Sequence, residues 1–338
     1  MILIRTDANP RIATGHLMRT LTIAREFNHR NIPVCFVLAD NESECIFKKL
    51  CLDLDNENLQ VEILNTKFDD PDSEIPAFTD ILAQKNPLAL LIDSYFVTPS
   101  YLTEVKKHTR TLYLDDLNSF DYPVDVVINY CIGAENLYET QTNKKYLLGP
   151  DYAPLREQFR DISYQVNEKV TNILITTGGT DEEGITGQIA AAVYAALDES
   201  VTCHIVIGTL NRHREHLYGL AQANPQIIIY ENHTEMAILM QRCDLAISAA
   251  GSTLYELCAV GVPTICFTTA DNQLPNATGL SAIEATVYAE DKNFALYIGE
   301  LAFDYPRRKK LSKQMRRLVD GYGACRIVDE LVQYENIC

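Results

Sequence analysis

The sequence predicts an α/β protein of two doubly wound, Rossmann-like domains, each built on a parallel sheet. Three observations carry that prediction. Short apolar, β-rich runs alternate with amphipathic stretches of about ten residues, the signature of βαβ units. The alternation occurs twice, on either side of the more polar segment YAPLREQFRDISYQVNEK. And 338 residues exceed what one ordinary core accommodates.

In the first half, strands are expected at 2–5, 34–38, 61–64, 89–92, 111–114 and 126–129, with helices at 16–27, 42–51, 78–84 and 98–108. In the second half, strands are expected at 172–176, 202–207, 227–230, 245–248, 264–267 and 286–288. The accompanying helices fall at 184–196, 212–221, 234–242, 254–260 and 273–283, and two further helical runs, near 307–319 and 324–333, close the chain. The domain reading is an N-terminal domain over 1–151, a linker over 152–169, a C-terminal domain over 170–305, and C-terminal helices over 306–338 that cross back to the N-terminal domain. Two such domains leave a cleft between the carboxyl edges of their sheets, where ligands of open α/β sheets bind.

Composition is that of an ordinary globular protein, with 47% hydrophobic and 22% charged residues. A net charge of −17 argues against nucleic-acid and anionic-membrane surfaces, because both require clustered Lys and Arg. The ten cysteines show no C-x-x-C spacing, and Cys35, Cys203 and Cys266 sit inside apolar strand patterns, so reduced, buried thiols of a cytoplasmic protein are expected. No signal peptide precedes the first strand, and no apolar run approaches the ~20 residues of a membrane helix. Oligomeric state carries no signal.

The most informative stretch is DLAISAAGSTLYELCAVGVPTICFTTADNQ (244–273). A strand runs into a small-residue turn, Gly251 allows close backbone approach, and a helix opens at Ser252-Thr253 with free N–H groups suited to an anion. Glu256, one turn in, can accept hydrogen bonds from a sugar diol, although Ser-Thr-x-x-Glu also reads as a capping box without ligand. A second loop, Thr176-Thr177-Gly178-Gly179-Thr180-Asp181, follows the first strand of the same half. One loop clamping a diphosphate and the other a ribose or base is the division these loops suggest. Neither a P-loop nor a GxGxxG fingerprint is present.

In the first half, Arg5-Thr6-Asp7 leads through ANPRIAT to Gly15-His16 at a helix start, with Arg19 one turn later. The helix dipole disfavours a charged imidazole there, so His16 suits a general base facing the cleft. No H-E-x-x-H, Cys/His cluster or D-x-D element follows a strand, and Asp115-Asp116 are adjacent with diverging side chains, so no metal and no cofactor are expected.

Together, RTDANPRIATGHLMRTLTIA (5–24), LLIDSYF (90–96), LLGPDYAPLREQF (147–159), ITTGGTD (175–181) and the 233–273 block resemble the UDP-2,4-diacetamido-2,4,6-trideoxy-β-L-altropyranose hydrolases of pseudaminic acid biosynthesis and the related spore-coat polysaccharide proteins. More distantly, the second half resembles the peptidoglycan N-acetylglucosaminyltransferase. The resemblance implies a GT-B fold, UDP held mainly by the second domain, and metal-independent release of UDP and free sugar by water attack at the anomeric carbon. It implies that His16 is the base and that Asp93 and Tyr95 orient sugar or water. It implies that Arg156 faces the ligand, that Glu256 binds the ribose, that Ser252 and Thr253 bind the phosphates, and that Asn272 binds sugar or phosphate. Asp7, Gly15, Arg19, Gly178, Gly179, Thr180 and Gly251 complete the expected substrate surface. The sequence departs from the family where Ala13 replaces a glycine, where Ala8-Asn9-Pro10 replaces a serine-rich run, and at Ser94. The alternatives are a GT-B glycosyltransferase, in which an acceptor hydroxyl replaces water, and a non-catalytic nucleotide-sugar-binding protein.

Overall fold

The computed structural model describes residues 1–51, 59–139, 144–179, 181–198, 200–208 and 211–335. These residues fall into two compact units, Met1–Pro154 with Tyr322–Cys338, and Leu155–Gly321. Among them no helix is long and apolar enough to cross a membrane. All nine described cysteines are free, and Cys35, Cys203 and Cys266 are buried in strands.

The first unit contains β1 (Ile2–Thr6), α1 (Gly15–His29), β2 (Val34–Leu38), α2 (Asn41–Leu50), β3 (Leu59–Ile63), α3 (Pro71–Lys85), β4 (Ala89–Asp93), α4 (Pro99–Lys106), β5 (Thr111–Leu114), β6 (Val126–Asn129) and β7 (Lys145–Leu148). Its sheet is wholly parallel, in the order β3-β2-β1-β4-β5-β6-β7. β1, β2 and β4 are buried at every residue, as strands covered by helices on both faces must be, which explains their unbroken apolar runs. The edge strand β7 was not expected from sequence; KYLL is short and carries a lysine suited to a sheet edge. α3 begins seven residues earlier than expected because Pro71 opens it at a position where its missing N–H costs nothing, while Pro76 inside the helix obscures the periodicity.

The second unit contains β8 (Asn172–Thr176), α5 (Ile185–Ala196), β9 (Thr202–Ile207), α6 (Arg214–Ala223), β10 (Ile227–Glu231), α7 (Met236–Gln241), β11 (Leu245–Ala249), α8 (Thr253–Val260), β12 (Thr264–Phe267), α9 (Leu274–Ala282), β13 (Val287–Tyr288), α10 (Phe294–Phe303) and α11 (Tyr305–Leu318). Its parallel sheet runs β10-β9-β8-β11-β12-β13. α10 is a second element that sequence periodicity missed. Its apolar residues cover most of the helix instead of one stripe, because Phe294, Ile298 and Leu301 join the core while Leu296 and Phe303 remain exposed. Residues 155–169 pack within this unit: Phe159 is buried, the Tyr164 hydroxyl donates to the Cys243 carbonyl at 2.9 Å, and the Asn167 amide donates to Asp244 at 2.8 Å. The fully buried Arg308 donates to the carbonyls of Leu301, Asn167 and Glu168, satisfying the end of α10 and tying that segment down.

α12 (Gly323–Glu335) returns to the first unit and packs on α1. A Cβ at Gly323 would lie 2.1 Å from the Ala153 carbonyl oxygen, so only glycine permits that approach.

One charged cluster lies inside the first unit's core. Arg5 grips Glu74 with two hydrogen bonds of 2.7 Å and Asp7 with one of 2.5 Å, and the Tyr101 hydroxyl adds a fourth at 2.8 Å to Glu74. Breaking a buried, bidentate pair leaves an uncompensated charge. The Glu74→Gln substitution is therefore expected to destabilise the first unit by about 3 kcal/mol, read as a lowered urea midpoint; a shift below about 1 kcal/mol would show that Asp7 alone suffices for Arg5.

Candidate functional site

In each sheet the strand order reverses once, between β1 and β4 and between β8 and β11. At such a point the two loops leave the sheet in opposite directions and open a crevice at the carboxyl edge. The two loops at the first unit's crevice are those that carry His16 and Asp93.

The turn from β1 into α1 is tight. Asn9 Oδ1 accepts the N–H groups of Arg11 (2.9 Å) and Ile12 (3.1 Å), and Asn9 and Ala13 form an isolated antiparallel bridge. Ala13 closes the turn at φ +57°, the left-handed conformation that favours glycine, so the glycine that the resemblance leads one to expect at this position would sit there without strain. Gly15 then opens α1 with free space beside its Cα, and His16 follows, buried.

His16 Nδ1 lies 2.6 Å from Asp93 Oδ1 at the end of β4, the strand paired with β1 such that Thr6 stands beside Asp93. Asp93 is fully buried, and burial alone would push its carboxyl up; Arg19 and His16 outweigh burial and bring it down to about 2. An ionised carboxylate only accepts, so the proton of the imidazole is assigned to Nδ1, and Nε2 carries the lone pair. Among the described residues Nε2 has no hydrogen-bond partner recorded.

Arg19, one turn along α1, binds the same carboxylate in bidentate fashion, Nε to Oδ2 at 2.6 Å and Nη2 to Oδ1 at 2.5 Å. Its Nη1 reaches both oxygens of Asp116, at 2.9 and 2.8 Å, and the Tyr130 hydroxyl at 2.9 Å. Asp116 in turn accepts from the Tyr95 hydroxyl at 2.9 Å, and the Tyr95 ring meets the His16 ring edge-on with centroids 4.3 Å apart. Burial and the neighbouring Asp116 hold Tyr95 well above its ordinary range, so it remains a donor. His16, Arg19, Asp93 and Tyr95 thus form one network. Asp116 and Tyr130 also belong to it, and the sequence reading did not include them. The available signal was an acidic pair directly after β5; it was weighed only as a metal site. The pair does diverge, since Asp115 binds the hydroxyls of Tyr122 and Tyr138 and the backbone N–H groups of Leu117 and Asn118. Asp7 stands apart: its oxygens are taken by Arg5 and by the Ala39 N–H at 2.7 Å.

In the second unit, the loop after β11 leads to the start of α8. The N–H groups of Ala250, Leu254 and Tyr255 donate to backbone carbonyls, and no backbone partner is recorded for those of Gly251, Ser252 and Thr253 among the described residues. Ser252 is exposed and its side chain makes no capping bond, so the capping box is not formed. Glu256 instead meets Arg156 at 2.9 Å, while Arg156 also donates to the Thr234 carbonyl at 3.1 Å. Burial holds the Glu256 carboxyl above its ordinary range, with Arg156 opposing it. Asn272 is exposed in a 3-10 turn, and Gln273 reaches to within 4.0 Å of where a Gly251 Cβ would stand.

At the other loop of this crevice, Gly178 adopts φ +90° and Gly178 and Gly179 are exposed. A Cβ at Gly208 would fall 2.8 Å from the Gly179 carbonyl oxygen, so the two backbones are in close contact. Asp181 accepts the Ile185 N–H at 2.8 Å and so caps the α5 entry. Thr180 lies outside the described residues. Among those described, no group of three or more His, Cys, Asp or Glu side chains is arranged to hold a metal.

Residues 172–302 match the glycosyltransferase family 28 C-terminal domain, a span that includes both second-unit loops. The spore coat polysaccharide biosynthesis protein SpsG of Bacillus subtilis is 28% identical over 252 residues, 70% of this chain and 74% of that protein. The UDP-2,4-diacetamido-2,4,6-trideoxy-β-L-altropyranose hydrolase of Campylobacter jejuni is 24% identical over 292 residues, 83% of this chain and 96% of the hydrolase. An uncharacterized protein of Methanocaldococcus jannaschii is 24% identical over 78% of this chain, and the match spans only 54% of that protein's length. In fold, the crystal structure of Acinetobacter baumannii MurG superimposes with a TM-score of 0.72 at 14% identity, covering 98% of this chain and 99% of MurG. The chain is a homologue of SpsG and of the altropyranose hydrolases, with a GT-B-type pair of Rossmann-like domains and a glycosyltransferase family 28 C-terminal domain at residues 172–302.

Proposed function

We propose that this protein, an enzyme acting on nucleotide sugars, is a hydrolase that releases UDP and a free 2,4-diacetamido-2,4,6-trideoxyhexose. The observation that carries the reading is the 2.6 Å bond between His16 and a carboxylate that stays ionised across the working pH range. It holds the imidazole in the tautomer whose Nε2 can take a proton from water as that water attacks the anomeric carbon. The glycosidic C–O bond to the diphosphate breaks as the new C–O bond forms, and the electron pair leaves with UDP. Tyr95, whose single proton goes to Asp116, offers its hydroxyl oxygen as an acceptor toward sugar or water. In the second unit, the N–H groups of Gly251, Ser252 and Thr253 at the start of α8 take up phosphate oxygens, where the helix dipole favours negative charge. Gly178 and Gly179, with Thr180, form the second nucleotide loop; Arg156, Glu256 and Asn272 complete the ribose and sugar contacts. Because Arg156 already holds Glu256, the pair acts as one polar platform, and Arg156 moves between carboxylate and ligand. Asp7 supports the loop through Arg5.

The matched family 28 domain favours a second reading, a glycosyltransferase using the same donor and an acceptor hydroxyl. Incubation with UDP-sugars in the absence of acceptor separates the two: UDP released stoichiometrically with free sugar supports hydrolysis, and acceptor-dependent release replaces it.

His16→Ala is expected to lower UDP release by about 10²- to 10⁴-fold while calorimetric UDP binding changes by less than about threefold. Unchanged turnover would remove His16 from the chemistry.

Asp93→Asn tests the carboxylate itself. Because its folded pKa is depressed from 3.8 to about 2, Asp93 contributes stability that is complete above pH ~4 and disappears as pH falls through about 2. The variant is therefore expected to be less stable by about 3 kcal/mol at pH 7, with the gap to the native protein narrowing between pH 4 and pH 3 in urea titrations. A gap independent of pH would show that Asp93 is not the titrating group.

A further inference from the structure

α11 is anomalous in this molecule. Its 14 residues, YPRRKKLSKQMRRL, carry seven Lys and Arg and no Asp or Glu. Subtracting +7 from the net charge of −17 leaves −24 on the other 324 residues, so the chain concentrates positive charge on one helix against an acidic background. The helix packs on α8 and buries Arg308, Leu311, Ser312 and Met315. Lys310, Lys313 and Arg317, at three- and four-residue spacing, fall on the opposite, exposed face, with Lys309 and Arg316 exposed beside them. Within reach of this face Lys310 meets Glu284 and Arg307 meets Glu300 at 3.7 Å, both exposed pairs of little net worth. No acidic partner is recorded for Lys309, Lys313, Arg316 or Arg317 among the described residues.

A second feature lies next to it in the chain. Phe303, at the last residue of α10 and two before α11, is 80% exposed, the most exposed large hydrophobic side chain described. Leu296, seven residues earlier and so on the same face of α10, is 50% exposed. A surface that joins a basic face to an exposed aromatic fits a bilayer bearing anionic headgroups: the cations attract the headgroups and the aromatic ring enters the interface. A nucleic-acid backbone would use the cations and leave Phe303 in water.

We propose that the exposed face of α11, with Phe303 and Leu296 of α10, docks the second unit reversibly on an anionic phospholipid surface. The attraction is electrostatic and therefore weakens with salt.

The test is co-sedimentation of the full chain with phosphatidylcholine vesicles with and without about 30 mol% phosphatidylglycerol, at about 50 and 500 mM salt. Binding is expected only with phosphatidylglycerol and only at low salt. The triple substitution Lys310→Gln, Lys313→Gln and Arg317→Gln, which keeps good helix formers, is expected to weaken binding about 100-fold, at about fivefold per charge. Phe303→Ser is expected to weaken vesicle binding several-fold, and Lys48→Gln with Lys49→Gln on α2 to leave it unchanged. All variants are checked for native helicity and unfolding temperature. Absence of phosphatidylglycerol-dependent binding by the native chain overturns the proposal. So does vesicle binding by a folded triple variant at native strength. Binding to duplex DNA that the triple variant loses, with none to vesicles, replaces it with a nucleic-acid surface.

Discussion

One guanidinium organises the first unit's crevice. Arg19 lies between two carboxylates that approach from the ends of different strands, Asp93 from β4 and Asp116 from beyond β5, and it bonds to both. Without it, two negative charges would share a buried space, and one would have to take up a proton. With it, each carboxylate orients a further group, Asp93 the His16 imidazole and Asp116 the Tyr95 hydroxyl. A lysine could not substitute, because a point charge cannot bind one carboxylate with two parallel bonds while reaching a second and a phenol. The imidazole thus owes its tautomer to a residue three positions away on its own helix.

Much of this was legible in the sequence, and the parts that were not have identifiable causes. The central strands were readable because burial on both faces imposes continuous apolar runs. β7 was not, since an edge strand with one neighbour needs neither length nor hydrophobicity, and α10 was not, since its apolar residues face both core and solvent. Gly15-His16 and Arg19 were marked by a helix start and its first turn, whereas Asp93 and Tyr95 came only from the resemblance to the hydrolases. Asp116 and Tyr130 were not legible, because their significance comes from β5 and β6 lying beside β4 in the sheet, a neighbour relation that local pattern does not encode. Ala13 carried no structural signal in the sequence, and only the backbone shows that it adopts the conformation glycine would take without strain.

Bulk charge misleads where its distribution informs. A sum of −17 suggests a surface that repels anions throughout, yet the second unit holds a helix without a single acidic side chain. The same unit shows a smaller version of the effect in Arg156 and Glu256, whose mutual neutralisation allows a polar pair to remain half-buried beside the α8 entry. In both cases the local arrangement, not the total, determines what can approach.

The return of α12 to the first unit has a consequence for biosynthesis. The first unit is assembled from two separate stretches of chain, with the whole of the second unit interposed. As the chain leaves the ribosome, residues 1–154 appear with the α1 surface that α12 covers still bare, and they stay so until α12 has followed. The second unit is a single uninterrupted stretch and can close on itself first. For these two units the order of emergence and the order of completion are therefore reversed, and the unit bearing His16 is completed after the other.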